Sequence, residues 1–541
     1  MTFVDARVVP DEAVLSTDVC IVGSGAAGLT LARQLAGSTR RVMVLEAGGM
    51  EHDRAAEDDT FAIDHHGLPQ NSAVASRGRW YGGSTNLWFG RIAALDRIDF
   101  EAREWVPHSG WPLSFDELQS WMGTAARILE VPNFDKIRID AWQPNATIDM
   151  VMRDGDGNLG VFLWADGMFM GERAKEMIKR SSNVQLLLSA TAVELVPNEA
   201  SSRIDSLIVR GPASRRFTVQ ANDFVLAAGG LENPRLMLAS TQRSSAGVGN
   251  ESDTVGRYYM DHPRGEGQAE ADLRRLPRAA LQRLLLLGEK APSPYGKVQL
   301  RVTFPEQMQR EERLLNHSLH AHLVSDVHRT AGYESLRRLI DRDPSGTSAG
   351  PGRAADLLQA ARGSPQLASF AVRRLVRRER PSSLVVIDQM EQAPDPLSRV
   401  TVDHRRRDQF GLPRLQLDWR VSELTYSGQR RMHQLFRHIV QQAGIDTLRS
   451  SILDEPDAVV PLLDMKHPSG TTRMSLSPRD GVVDADSRVH GMSNLFVTGT
   501  SIFPTVGHAN PTLTIVALAA RLARHLGGPP ADRPIPSSAK A

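Results

Sequence analysis

A single cysteine in 541 residues is too little for a disulfide framework or a thiolate metal site. That residue, Cys20, falls inside an apolar run and reads as a small buried side chain. Charge of one sign is missing too. Lys and Arg total 64 against 63 Asp and Glu, a net +1, which argues against a nucleic-acid partner. Lysine is scarce, seven against 57 arginines, so the basic run Arg373–Arg380 reads as a solvated helix face balanced by acids elsewhere. No stretch of ~20 apolar residues could span a bilayer. No basic N-terminal region followed by an apolar run marks a secretory signal, so a cytoplasmic protein is expected. With 41% hydrophobic and 23% charged residues the chain is globular, and its length fits two interleaved domains better than one core.

What is present is concentrated at the two ends. Val19–Val22 is an apolar strand that feeds Gly23-Ser24-Gly25-Ala26-Ala27-Gly28, and a helix of small residues follows to Leu35. A second apolar strand, Val42–Leu45, ends on Glu46. This is a βαβ dinucleotide fingerprint. Gly23 permits the tight turn, Gly25 lets the backbone approach a pyrophosphate, and Gly28 lets helix and strand pack closely. The helix N-terminus offers free N–H groups to phosphate. Glu46 stands where a carboxylate can accept ribose hydroxyls. The Glu46-Ala47-Gly48-Gly49 ending favours FAD, with NAD still open from this segment alone.

The C-terminal part carries His467-Pro468-Ser469-Gly470-Thr471, Asn494–Thr505 and Gly507-His508-Ala509-Asn510-Pro511-Thr512. Asn510 and Pro511 sit where an N-cap and a first helical residue are favoured, ahead of a helix Thr512–Leu526. With Arg79–Trp88, Val225–Arg235 and Val255–Pro263, this ordered set resembles the glucose–methanol–choline (GMC) family of FAD-dependent alcohol oxidoreductases. Residues 266 to 450 carry little of the resemblance, and they would choose the substrate.

The resemblance implies a mixed α/β fold. A Rossmann-like FAD-binding domain (1–100, 185–265 and 455–530) is interleaved with a substrate domain (101–184 and 266–454) built on an antiparallel sheet with helices, and 529–541 is a disordered tail. It further implies FAD contacts at Gly83, Ser84, Asn86, Val193, Gly229, Thr500 and Asn510. Asn86 stands where a sugar-oxidising branch places a flavin-tethering histidine, so FAD is expected to be held without a covalent bond. An alcohol surrenders hydride once a base takes its hydroxyl proton, and imidazole suits that task near neutral pH. The resemblance points to His467 as this base, with hydride passing to the flavin N5, and to Asn510 as the group that holds the substrate oxygen. His508 is the rival base, and His262 is expected to be structural. No metal is expected.

The motifs look most like sugar and glycoside oxidisers, including enzymes that oxidise the 6′-hydroxyl of paromamine-type aminoglycoside precursors. Trp80, Tyr81, Trp88, Trp105 and Trp111 are candidate sugar platforms, with packing the alternative. A cationic amino sugar would want carboxylates, for which Asp261, Asp388 and Glu391 are candidates. The expected partners are a small alcohol substrate and oxygen or another electron acceptor. A dehydrogenase using a different acceptor, and a lyase-like flavoprotein of the same fold, stay open. Locally, Ser114 and Glu117 mark a helix start. Gln185–Leu195 reads as one strand, 270 to 380 as amphipathic helices, and Ser383–Met390, Arg399–Val402 and Arg414–Trp419 as one antiparallel sheet.

Overall fold

The computed structural model describes residues 2–68, 70, 77–131, 134, 145–155, 157–166, 170–288, 291–293, 296–340, 353–375, 380–455 and 461–527. The tail 529–541 and residues 376–379 of the basic run lie outside them. No helix among the described residues is long and apolar enough to cross a membrane.

Two eight-stranded sheets dominate the described residues. The first is built on the fingerprint. Val14–Val22 pairs in parallel with Val42–Leu45 on one side and with Arg216–Leu226 on the other, and Leu495–Val497 joins that last strand in parallel. These strands are apolar on both faces because helices cover them, as parallel sheets require. Ala26–Leu35 buries Leu29, Leu31, Ala32 and Leu35, and Thr512–His525 buries Leu513, Val516, Ala517 and Leu518 in the same core. The Gln185–Leu195 run is two strands rather than one. Val184–Leu188 and Thr191–Pro197 flank a corner at Ser189, whose φ of 56° breaks the extended chain.

The second sheet is mostly antiparallel and draws on Arg91–Ile92, Asn158–Trp164, Gly296–Thr303, Ser318–Val324, Ser383–Gln389 and Glu266–Asp272. The stretch expected to be helical between 270 and 380 therefore contributes strands as well. Its alternation is sharp. Leu159, Leu300, Val302, Leu319, Ala321, Leu384 and Val386 face a core capped by Met432, Leu435, Phe436 and Ile439 of the helix Glu423–Gln442. The opposite face carries polar and aromatic residues. Arg399–Arg407 and Pro413–Trp419 do not join this sheet. They pair with each other and, in parallel, with Ile63–Gly67 in a separate three-stranded sheet. The expected single sheet fails because Trp419 and Leu417 bury against Tyr259 and Leu231, a core of their own.

Helix Phe115–Ile128 starts at Ser114, whose side chain accepts from the Glu117 N–H. It packs Leu118, Met122 and Ala125 into the first core, so the 101–184 segment serves both halves.

Candidate active site

The nucleotide end keeps each glycine for a physical reason. Gly23 has φ of 104°, and a Cβ there would meet the Ala227 carbonyl oxygen at 2.7 Å. A Cβ on Gly28 would stand 1.9 Å from the Gly23 oxygen, which no repacking relieves. Gly25 differs: a Cβ there would meet nothing within 4 Å. Space is left open in front of it, at the N-terminus of Ala26–Leu35, as a pyrophosphate needs. Gly83 lies against Gly25, with only 3.0 Å from its would-be Cβ to the Gly25 Cα. Gly229 also faces open space at φ of 89°. These cradles fit FAD.

Glu46 is buried and already engaged. One carboxylate oxygen accepts from Ser24 N–H (3.1 Å) and Ser24 Oγ (2.5 Å), and the other from Gly48 N–H (2.9 Å). Burial pushes its carboxyl up, opposed by these donors. Val193 sits at a register shift between Ala192 and Glu194, out of step with its partner strand. Asn86 closes a turn by donating to the Tyr81 carbonyl (2.9 Å), and Ser84 is exposed, its Oγ accepting from Gly78 N–H (3.3 Å). Thr500 donates to the Pro468 carbonyl (2.6 Å), which ties a cofactor-side segment directly to the residue after His467.

His467 and His262 face each other Nδ1 to Nδ1 at 3.0 Å. Their tautomers follow from the network. The other nitrogen of His262, Nε2, lies 3.3 Å from the Val506 carbonyl, which only accepts, so Nε2 carries hydrogen. Burial pulls His262 down to about 4, leaving it neutral near pH 7 with Nδ1 as an acceptor. His467 must then donate from Nδ1. Burial, His262 and Arg91 hold it well below the usual imidazole range, so its Nε2 carries a lone pair. Asp261 anchors both rings through the backbone. Its carboxylate accepts from His262 N–H (2.7 Å), Met465 N–H (2.9 Å) and His467 N–H (2.9 Å). Asp261, His262 and His467 have the composition of a metal cluster, but the carboxylate is engaged on backbone amides and the rings on each other.

Asn510 is not the N-cap. The helix Thr512–His525 is capped at Pro511 and no side chain closes it, so Asn510 is free to face the second sheet. There Gln389 decides its orientation. Gln389 Nε2 donates to the His508 carbonyl (2.7 Å) and its Oε1 accepts from Arg91 (3.2 Å), which fixes the amide at both ends. The Asn510 atom facing Gln389 Nε2 at 3.4 Å is therefore its oxygen, and its NH2 points elsewhere as a donor. His508 is buried with Nε2 3.1 Å from Asp96, and its Nδ1 has no hydrogen-bond partner among the described residues. Burial and Arg301 lower it.

The three carboxylates considered for a cationic substrate all have other partners. Asp261 is described above, Asp388 meets His433 (3.0 Å) and Gln429 (2.7 Å), and Glu391 forms a fully buried pair with Arg103 (2.5 Å). Among the aromatic candidates, Trp111 donates to Thr505 (2.8 Å) and packs between Phe100 and Phe503, and Trp105 donates to the Leu314 carbonyl (3.0 Å). Trp80 packs on His52, and Tyr81 is buried. Sequence reasoning missed Gln389, Arg91, Arg301, Phe162 and Trp164, which share the polar face of the second sheet. The signal was there in the alternation Gly160-Val161-Phe162-Leu163-Trp164.

Residues 394–519 match the family described as GMC oxidoreductase, and residues 18–243 match FAD dependent oxidoreductase. These matches place a GMC oxidoreductase C-terminal region and an FAD-dependent oxidoreductase region in the one chain. FAD is the cofactor, and the open space at Gly25 and Gly229 would accommodate it. The chain is similar to the fructose dehydrogenase large subunit of Gluconobacter japonicus, 25% identical over 62% of this chain and 53% of that subunit. It is 38% identical to the C-glycoside 3-oxidase of Microbacterium trichothecenolyticum over 24% of each chain. The matched stretches thus span about half and about a quarter of these relatives. In fold, the chain is similar to pyridoxine 4-oxidase from Mesorbium loti, with a TM-score of 0.52, 18% identity, and cover of 94% of this chain and 99% of that one.

Proposed function

We propose that this protein is a GMC oxidoreductase that oxidises an alcohol on a sugar or glycoside to an aldehyde or ketone. The observation that carries the reading is the fixed tautomer of His467, which presents an unprotonated Nε2 backed by a neutral His262. In this scheme His467 Nε2 takes the hydroxyl proton, and the Asn510 NH2 donates to the same oxygen and holds the reacting carbon in place. Bound FAD supplies the acceptor for the hydride. Electrons then leave to oxygen or another acceptor, and oxygen uptake with no added partner separates the two. A cationic amino sugar is a poorer fit than a neutral or anionic polyol, because Asp261, Asp388 and Glu391 already have partners. FAD is held without a covalent tether, since Asn86 is no nucleophile. Acid precipitation should leave the flavin in the supernatant. The central test is anaerobic mixing with sugar alcohols: the flavin absorbance should bleach, and a lyase-like enzyme would show no bleaching with any alcohol.

A further inference from the structure

Three buried arginines elsewhere in this protein have carboxylate partners, and two others, Arg79 and Arg473, are hydrogen-bonded to neutral groups, Thr191 Oγ1 (2.9 Å) and the His108 carbonyl (2.6 Å). Arg103 pairs with Glu391, Arg235 with Asp408 (2.9 Å) and Arg77 with Glu232. Arg91 does not. Its hydrogen bonds go to two neutral groups, His320 Nε2 (3.1 Å) and Gln389 Oε1 (3.2 Å), and it forms no ion pair among the described residues. Arg301 is fully buried, and its hydrogen bond is a long one to the His508 carbonyl (3.4 Å). Both guanidinium groups rest on one aromatic ring, with Cζ 4.3 Å and 4.6 Å from the Phe162 centroid.

The sheet is built to hold them there. Arg91 lies opposite Trp164, and Arg301 opposite Gly160, on the strand that carries Phe162 between them. A Cβ on Gly160 would stand 2.3 Å from Arg301 Nε, so glycine makes the room for that guanidinium. Burial draws both groups down to about 10, yet both stay charged near neutral pH. Asp96 and Asp99 act on Arg301 through space, without an ion pair to it among the described residues. Stacking on an aromatic face compensates a desolvated cation only in part. A second cation on the same ring leaves the shortfall larger.

This polar face looks at the reaction site. Gln389 bridges Arg91 to Asn510, and Arg91 is close enough to His467 for its charge to help keep that ring neutral. We infer that Arg91 and Arg301 form a subsite for an oxyanion on the substrate, so that the alcohol belongs to a sugar or polyol bearing a carboxylate or phosphate. This rests on the alcohol-oxidising reading above. A forked guanidinium suits either anion, because two parallel N–H groups match two oxygens.

The test is calorimetric titration of the FAD-loaded enzyme, at low salt, with D-glucuronate, glucose 6-phosphate, inorganic phosphate and neutral D-glucose. One of the two sugar anions should bind at least tenfold more tightly than D-glucose, and which one does tells carboxylate from phosphate. Inorganic phosphate should compete, and added salt should weaken the anion alone. Arg91→Gln and Arg301→Gln should each reduce the preference about tenfold, Arg91→Lys less, with FAD content and melting temperature retained. Equal binding of glucose and both anions overturns the inference, as does a preference that survives in both Gln variants. Loss of FAD from Arg91→Gln also overturns it, by making Arg91 a cofactor ligand. Binding is read without turnover, so a flavin that no alcohol bleaches would refute the oxidation and leave these outcomes legible.

Discussion

His467 and Asn510, the proposed base and the proposed holder of the substrate oxygen, have neighbours that fix which of their atoms is free. Replacing His467 with Ala should keep FAD and lower flavin reduction by at least ~10²-fold, the low end for losing a general base. His262→Ala should lower it less, since His467 would keep its imidazole but lose its fixed tautomer. The pH profile separates the two roles. Because the folded protein holds His467 below the ordinary imidazole value, its base form persists on acidification, and the acid limb should lie below pH 6.5. In His262→Ala that limb should move back toward 6.5, as a ring left with water regains its normal basicity. A limb that stays put in His262→Ala would make that residue a packing element. Asn510→Ala should slow reduction without lowering stability by more than about 0.5 kcal/mol, because Pro511 and not Asn510 occupies the cap. Thermal melting checks this, and a drop near 1 kcal/mol would restore the capping role.

At the scale of elements, the fingerprint glycines separate folding from cofactor binding. Gly28→Ala drives a methyl into the Gly23 oxygen, so it should fold poorly with or without added FAD. Gly25→Ala meets only open space, so the apoprotein should melt near the parent while FAD affinity drops by an order of magnitude or more. If Gly25→Ala holds FAD normally, the cradle is not where the pyrophosphate lies. These positions were legible in the sequence because a tight turn, a close helix–strand contact and a backbone approach each leave a glycine at fixed spacing. The second sheet was harder to read. Its strands lie far apart in sequence and alternate on one face only. Arg91, Phe162, Arg301 and Gln389 come from four different strands, and nothing in any one segment shows that they meet. The Asn510 cap failed for a smaller reason. Asn-Pro before a helix satisfies the capping rule, but the chain starts its helix one residue later and turns the side chain toward Gln389.

Across the whole molecule, the fingerprint half and the second sheet meet through a buried polar seam. Arg103 pairs with Glu391, Glu391 accepts from Asn316 N–H (2.7 Å), and Asn316 donates to Asp96 (3.0 Å) and Asp99 (2.9 Å). Thr505 donates to the Asp99 carbonyl (2.6 Å), bringing the loop before Asn510 into the same network. Removing one ion of such a pair leaves the other desolvated. Arg103→Met should therefore cost about 3–5 kcal/mol, and the double change Arg103→Met with Glu391→Leu should recover part of it.

The same seam fixes how stability responds to acid. His317 donates from Nε2 to the Thr425 carbonyl (3.0 Å), and its Nδ1 accepts from the Glu391 N–H (3.1 Å). Burial opposes a second proton on the ring and pulls it down to about 4, and a proton on Nδ1 would face that N–H directly. The unfolded chain, with an imidazole near 6.5, binds this proton first. Between pH 6.5 and 4 the unfolded state thus holds more protons, and His317 subtracts roughly 1.4 kcal/mol of stability for each unit of acidification. Above pH 7 its contribution is flat. Asp99, pushed up by burial and by Glu391, acts in the opposite direction, so the parent curve alone does not isolate the histidine. The difference between parent and His317→Asn does. That difference should narrow steadily from pH 6.5 to 4, because only the parent loses stability through this group. A constant offset across the window would mean that His317 is already charged in the folded protein, and that its Nδ1 does not accept from Glu391.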